Sequence, residues 1–312
     1  MTAKPTLLIA GLRRSGTTAL WEVLRSAPGL VAFDEPFHPR LWTGVRDNHK
    51  RTWGELTALW QVGPTDLVPG VTPIEPLDEL KPGLSPDQTA YLVRLMGQDR
   101  PVVMDVVRHW NKLPALAAAG PNVHVVLLVR SPVPWVLSHL IPSGGEGWRF
   151  SLGTRFRRVM ALQRQSGFDN WQYETILNTA IAKRHPVLES LAIEPDALAR
   201  APAYVKLLAF WWGANRHAYW ALQRHGAGRH ELLLAEDFMI DPATVAGRLM
   251  APLNLNPKTL DFSSVHAPRR DPLGGADEWR RAFAQLEIPG TLLPTAKPDT
   301  TALRAAFDEG AL

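Results

Sequence analysis

The sequence contains no cysteine among its 312 residues. It can therefore form no disulfide bond and no thiolate metal site, and this absence favours a reducing cytoplasm over an exported setting. No run of roughly eighteen apolar residues occurs, which argues against a membrane-spanning helix. An apolar run begins a few residues after Met1, so we also expect no signal peptide. We therefore predict a cytoplasmic protein without a membrane span.

The sequence also has little net charge, because its 34 Lys and Arg residues are nearly balanced by 30 Asp and Glu residues. No lysine- or arginine-rich run or tail occurs, so we expect no nucleic acid partner. Most of the cations are arginines, which favour planar, bidentate contacts to phosphate, sulfate or carboxylate. The slight basic excess therefore fits a small anionic ligand.

A short apolar run near the start of the chain leads into a loop that contains two glycines. Residues 6–10 predict a buried strand, and Leu20 and Leu24 fall on one face of a predicted helix that follows the loop. A strand, a glycine loop and a helix start direct backbone N–H groups and the positive end of a helix dipole at an anion. The pattern therefore predicts an anion site.

The loop has the glycine spacing of a nucleotide P-loop, G-x-x-x-x-G-K-[ST], with glycines at positions 11 and 16. The lysine of that motif is replaced by threonine, and the basic groups lie inside the loop instead. An alternative interpretation is a simple turn whose arginines are only solvated. We predict that phosphate-like oxygens are bound by Arg13, Arg14, Ser15, Gly16, Thr17 and Thr18.

Four further apolar runs predict strands that alternate with helices and end in polar residues. Alternation of this kind predicts an α/β, P-loop-like three-layer fold with a mostly parallel central sheet, helices on both faces and large insertions. Ligands of such sheets bind beside the carboxyl ends of the strands. The runs are 30–33 before Asp34-Glu35, 101–107 before Arg108-His109, 122–129 before Arg130, and 231–235 before Glu236-Asp237.

We expect one domain over residues 1–312. Its core is predicted at about 1–42, 101–140 and 203–253. Residues 43–100, which are rich in proline, and residues 143–200 are predicted to be insertions or lids, and the first is expected to be a long irregular excursion with one or two short helices. The predicted C-terminal segment, 254–312, is loop-like.

Taken together, these motifs resemble the sulfotransferase family that uses 3′-phosphoadenosine 5′-phosphosulfate. The stretch Gly-Leu-Arg-Arg-Ser-Gly-Thr-Thr at 11–18 resembles the 5′-phosphosulfate loop of that family. Arg130, with Ser138 eight residues further on, resembles its 3′-phosphate motif. Residues 234–242 are similar to its fifth-strand segment, and Arg269-Arg270 loosely resembles part of its C-terminal phosphate loop.

The resemblance implies transfer of a sulfuryl group from that co-substrate to a hydroxyl or amine of a small-molecule or glycoside acceptor. It implies that Arg14 stabilises the leaving phosphate and that Arg130 and Ser138 bind the 3′-phosphate, with Arg269 and Arg270 nearby in the donor site. No metal is expected, since the family needs none.

Two residues are candidates for the general base. Glu35 follows Arg14 by 21 residues, and the branch of the family that sulfates protein tyrosines has its catalytic glutamate at the same distance. Other branches use a histidine after the third strand, close to the position of His109. Glu35 is the first choice, and its alternative role is a structural ion pair with Arg13 or Arg14. His38 and Trp42 are candidates for residues that border the acceptor.

Two other classes of function remain open. A P-loop phosphotransferase that uses ATP and magnesium has the same fold and glycine spacing, but the missing lysine argues against it. A non-catalytic nucleotide-binding protein is the second alternative, and the presence of both Arg14 and Glu35 argues against that class.

Overall fold

The computed structural model describes residues 4–41, 51–62, 74–140, 173–189, 191–225, 229–267 and 277–309. The chain divides into two compact units, which we describe separately. The first comprises residues 1–129 and 218–268, and the second comprises residues 130–217 and 269–312. The single domain expected over 1–312 stays a prediction. Of the predicted site residues, Trp42, Arg269 and Arg270 lie outside the described ranges.

The first unit contains a five-stranded sheet in the order β2-β3-β1-β4-β5, and every strand pair is parallel. The predicted parallel sheet is therefore confirmed. In the centre of the sheet, Thr6 of the first strand lies opposite Val102 on one side and Val123 on the other. The strands are β1 (Thr6–Ala10), β2 (Val31–Asp34), β3 (Val102–Val106), β4 (Val123–Val129) and β5 (Arg229–Leu234).

The described helices lie between the strands in the chain or after the last strand. In chain order they are α1 (Thr17–Arg25), α2 (Gly54–Val62), α3 (Pro86–Met96), α4 (Leu113–Ala117), α5 (Pro132–Leu140), α6 (Tyr173–Ala182), α7 (Pro195–Arg200), α8 (Ala203–His225), α9 (Ala235–Ile240), α10 (Pro242–Met250), α11 (Asp277–Gln285) and α12 (Thr300–Asp308). Among the helices of the described ranges, none is both long and apolar enough to cross a lipid bilayer.

Both faces of the central strands are covered. Every side chain of β1 and of β3 is buried, and successive side chains of a strand point to opposite faces. On one face, α1, α9 and α10 contribute to a continuous apolar core with β1, β4 and β5. Representative members of this core are Ile9, Trp21, Phe238 and Leu249.

One segment agrees with its prediction, and a second is more regular than predicted. Helix α3 is a short helix of the kind expected within the proline-rich stretch, and Ser85 and Gln88 start it with reciprocal side-chain-to-backbone hydrogen bonds of 3.0 and 3.1 Å. The predicted C-terminal loop is wrong for residues 277–309, because they contain α11 and α12. The Asp299 side chain caps α12 by accepting a hydrogen bond from the N–H of Ala302.

The second unit has an aromatic interior. Tyr173 of α6 lies between Trp135 of α5 and Phe210 of α8, with ring centroids 5.6 and 5.2 Å away. Trp212 of α8 contacts Phe307 of α12 at 5.5 Å. These buried rings explain why so many tryptophans of α8 are packing residues.

Candidate active site

The loop between β1 and α1 has the backbone geometry of an anion site. A side chain on Gly11 would place its Cβ 2.5 Å from the carbonyl oxygen of Leu128, so only glycine allows this approach to β4. Arg14 and Gly16 are both left-handed, with φ of 71° and 93°. Helix α1 then begins at Thr17, and its first N–H groups have no acceptor within the helix. The loop can therefore donate several N–H groups to an anion.

The two neighbouring arginines of this loop have different surroundings. The Arg13 side chain is only 6% exposed, and its Nη1 forms an ion pair with the Glu79 carboxylate. Arg14, which comes next in the chain, is exposed. Of the two, Arg14 is therefore the better placed to reach a ligand that arrives from solvent, whereas Arg13 points into the protein.

Two buried carboxyl groups lie beside the loop on adjacent strands. Asp34 of β2 and Asp105 of β3 are paired in register and are both fully buried. The Thr18 hydroxyl donates a hydrogen bond of 3.1 Å to Asp105 Oδ2, and the Thr52 hydroxyl donates one to Asp34. Burial raises the pKa of Asp105 well above its usual range, and the charges of Glu35 and Asp34 act in the same direction. The ionised form of Asp105 is therefore less favourable than that of an aspartate in water.

Glu35 follows β2 directly and has an unusual backbone conformation. Its φ of 41° is left-handed, and its N–H donates a hydrogen bond of 3.0 Å to the Asp105 carbonyl. The side chain is 17% exposed, and Oε2 lies 3.9 Å from Nε2 of His38. The His38 ring in turn lies 5.4 Å from the ring of Trp53. Glu35 therefore combines a fixed backbone with a carboxylate that solvent can reach.

The other candidate base, His109, is enclosed by protein. Its side chain is 1% exposed, and its ring packs edge-on against Phe37 at 4.7 Å. Burial lowers the pKa of His109 to about 3, and the charge of Lys112 acts in the same direction. A neutral imidazole at this position matches a packing role better than proton transfer with an external substrate.

Arg130 and Ser138 belong to the second unit. Arg130 follows β4 and is half-buried, and its carbonyl accepts a hydrogen bond of 2.9 Å from Nε1 of Trp211. Ser138 lies on α5, and its hydroxyl donates a hydrogen bond of 2.6 Å to the Trp135 carbonyl. Nothing in these contacts tests phosphate binding, so the 3′-phosphate assignment stays a prediction.

Two residues of the site were missed in the sequence analysis. Asp105 had a visible signal, because it is an acid within an otherwise apolar strand, and such a residue needs a partner when it is buried. Glu79 had no such signal, since its partner Arg13 is 66 positions away in the chain. Within the residues that the structure describes, no group of three or more His, Asp or Glu side chains could hold a metal ion.

Comparison with known proteins identifies the family of this chain. The model of the "Sulfotransferase family" matches residues 5–176, which is more than half of the chain. The protein therefore belongs to the sulfotransferase family. No curated protein matches the sequence.

Several solved structures are similar to the chain. The sulfotransferase from Alicyclobacillus acidocaldarius is 17% identical, with a TM-score of 0.39, and the match covers 97% of this chain and 100% of that one. The sulfotransferase domain of the Synechococcus PCC 7002 olefin synthase is 19% identical, with a TM-score of 0.43 and coverage of 96% and 97%. The sulfotransferase domain of the curacin biosynthetic pathway is 15% identical, with a TM-score of 0.42 and coverage of 91% and 98%.

Proposed function

We propose that this protein transfers the sulfuryl group of 3′-phosphoadenosine 5′-phosphosulfate to a hydroxyl or amine of an acceptor. One observation carries the proposal: Asp105 is hydrogen-bonded both to the anion loop, through the Thr18 hydroxyl, and to the backbone of Glu35. The predicted base and the predicted donor loop are thus fixed to the same residue of β3. Such a connection supports a single reaction centre.

In the proposed reaction, Glu35 accepts the proton of the acceptor as its oxygen or nitrogen bonds to sulfur. The bond between sulfur and the bridging oxygen breaks, and negative charge develops on the departing 5′-phosphate. Arg14 and the loop N–H groups stabilise that charge, and Arg14 keeps its own proton because a guanidinium remains charged. Each group has one task, and atoms and charge balance without a metal.

The raised pKa of Asp105 supports this assignment. An ionised carboxylate behind an anion-binding loop would repel a phosphosulfate group, and burial disfavours that ionised form of Asp105. Thr18 and Thr17 both hydrogen-bond to Asp105, which fixes the start of α1 beside the proposed donor.

The remaining assignments rest on the sequence motifs. We assign the donor's 5′ side to Ser15, Gly16, Thr17 and Thr18, and its 3′-phosphate to Arg130 and Ser138, with help from Arg269 and Arg270. The acceptor is a small molecule or a glycoside, and the pairing of His38 with Glu35 and Trp53 supports an acceptor site at that position. We assign the protein to the cytoplasm because it lacks cysteine.

Nucleotide selectivity tests the proposed donor. Adenosine 3′,5′-bisphosphate should bind much more tightly than adenosine 5′-phosphate in calorimetry. Arg130→Ala should weaken bisphosphate binding roughly ten- to a hundredfold, since a charge-assisted contact contributes about 1.5–3 kcal/mol. Arg200→Ala is the matched control, because Arg200 is an exposed arginine of the same unit. Equal affinity for the two nucleotides would refute the donor assignment.

A thermal-shift comparison separates this function from a phosphotransferase. We expect adenosine 3′,5′-bisphosphate to raise the melting temperature without added metal, and ATP with magnesium to leave it unchanged. The opposite result would favour the phosphotransferase.

A further inference from the structure

The segment of residues 74–83, which contains a 3-10 helix at Pro76–Leu80, is attached to the loop side of the sheet by several bonds. Its Ile74 N–H donates to the Phe37 carbonyl at 3.0 Å. Asn111 Nδ2 donates to the Leu80 carbonyl at 2.7 Å. Lys112 Nζ donates to two carbonyls of the segment at 2.6 and 2.9 Å. The 74–83 segment is therefore joined to residues that follow β2 and β3.

Glu79 is the charged centre of this segment. Its side chain is fully buried, and Oε1 contacts Nη1 of Arg13 and, at 3.3 Å, Nη1 of Arg108. Burial raises the pKa of Glu79, while the two guanidinium groups act in the opposite direction. One carboxylate thus balances a cation from the 11–18 loop and a cation that follows β3.

We propose that Glu79 is a positioning residue for the anion loop, which it holds through Arg13. The inference rests on the proposed function, because it assumes that the loop binds the donor. Arg13 is the immediate neighbour of Arg14, and Arg14 takes a left-handed conformation. A fixed Arg13 therefore fixes the turn from which Arg14 projects.

Two effects of removing the Glu79 charge oppose each other. Removing the negative charge of Glu79 should favour binding of an anion nearby. Solvent and salt at a site that faces the surface screen that effect strongly. A buried guanidinium that loses its counter-charge is strongly unfavourable, because the cost of removing it from water is no longer offset by the ion pair. Arg13 would leave its buried position and move the loop with it. We expect the geometric effect to exceed the electrostatic one.

The test compares Glu79→Gln, which keeps the shape and removes the charge, with two controls in the full chain. Glu75→Gln changes an exposed carboxylate just before the same 3-10 helix. Lys112→Met removes the lysine contacts of the segment without removing the Arg13 partner. Calorimetry with adenosine 3′,5′-bisphosphate and hydrogen exchange of the loop amides, without nucleotide, are measured for each variant.

We expect Glu79→Gln to weaken bisphosphate binding about tenfold and to speed exchange at residues 12–16. Both controls should bind within twofold of the unchanged protein. Unchanged exchange in Glu79→Gln, or tighter nucleotide binding, would overturn the inference. If Lys112→Met weakens binding as much, Glu79 has no special role and the inference also fails. If the unchanged protein does not bind the bisphosphate, the proposed function fails, and the exchange data alone decide the role of Glu79.

Discussion

Two polar residues that follow β1 and β2, Arg14 and Glu35, differ in exposure from two that follow β3. Arg14 is exposed and Glu35 is partly exposed, whereas Arg108 and His109 are buried. In the sequence these positions look alike, because each follows an apolar strand within a few residues. Other parts of the chain make the difference, since Glu79 of the 74–83 segment pairs with the buried Arg108 and Phe37 packs against the His109 ring. A polar residue at a strand end is thus a candidate for chemistry only when no other segment covers it.

Among the variants that test this comparison of exposed and buried strand-end residues, we expect the largest loss of turnover at Glu35. Glu35→Gln preserves the side-chain shape and removes the base, so turnover should fall by about 10²–10⁴ while donor binding is retained. Steady-state kinetics with any sulfated acceptor would measure the loss. Glu75→Gln, at another carboxylate near the surface, should have normal turnover. A loss of donor affinity in Glu35→Gln, with normal turnover at saturation, would contradict the role of base.

The second effect concerns the exposed arginine. Arg14→Ala should lower turnover by about a hundredfold and donor affinity by less, because its charge matters most as the leaving phosphate develops negative charge. Arg14→Lys is the matched variant. It keeps the positive charge, and lysine meets the same backbone strain as arginine at this left-handed position. It should retain part of the activity. Single-turnover rates and donor affinities are measured for both variants. If Arg14→Ala changes donor affinity and leaves the rate at saturation unchanged, Arg14 does not stabilise the leaving phosphate.

The smallest effect on turnover is expected for the buried histidine. His109→Gln should cost about tenfold or less, because it disturbs packing against Phe37 and removes no proton acceptor from the reaction. If its loss of turnover exceeded that of Glu35→Gln, the base would be His109, and the comparison between exposed and buried strand ends would fail.

The same variant has a distinct effect on stability. The pKa of His109 is lowered to about 3 from 6.5, so between these values the unfolded chain binds a proton that the folded chain does not. Stability should therefore fall as the pH drops through this window, by up to about 1.4 kcal/mol per pH unit. His109→Gln should lack this part of the decline in denaturant titrations. If the unfolding free energies of the two proteins vary with pH in parallel, the pKa of His109 is the same in the folded and unfolded chain, which contradicts the prediction.

The strands and the 11–18 loop could be predicted because local signals specify them. Residues 6–10 and 123–129 are apolar runs with clear limits, and the predicted strands agree with the structure to within one residue there. A short helix was also expected between residues 43 and 100, and the Ser85 and Gln88 capping pair is the local signal that marks the start of α3 there. The strand predicted at 231–235 ends at Leu234, because Ala235 starts α9. Local sequence patterns were therefore sufficient to predict these strands and the 11–18 loop.

The ion pairs and the burial of the site could not be predicted in this way. Arg13 and Arg14 are chemically identical in sequence, and the structure distinguishes them by the buried ion pair of Arg13 with the distant Glu79 and by the exposure of Arg14. His109 likewise becomes a packing residue because Phe37, from another strand end, covers its ring. Such contacts depend on tertiary structure, so a single sequence does not reveal them. The nucleotide-binding roles of Arg130 and Ser138 stay predictions.

The central position of β1 in the sheet also determines when the site can form. Its two partners, β3 and β4, come about a hundred residues later in the chain. The turn after β1 further depends on Glu79 and on the Leu128 carbonyl. Contacts between such distant residues form slowly, and chains fold as they emerge from the ribosome. The motif is therefore assembled only after the chain to about residue 130 is available, and a fragment that ends before β4 would carry the motif without the site.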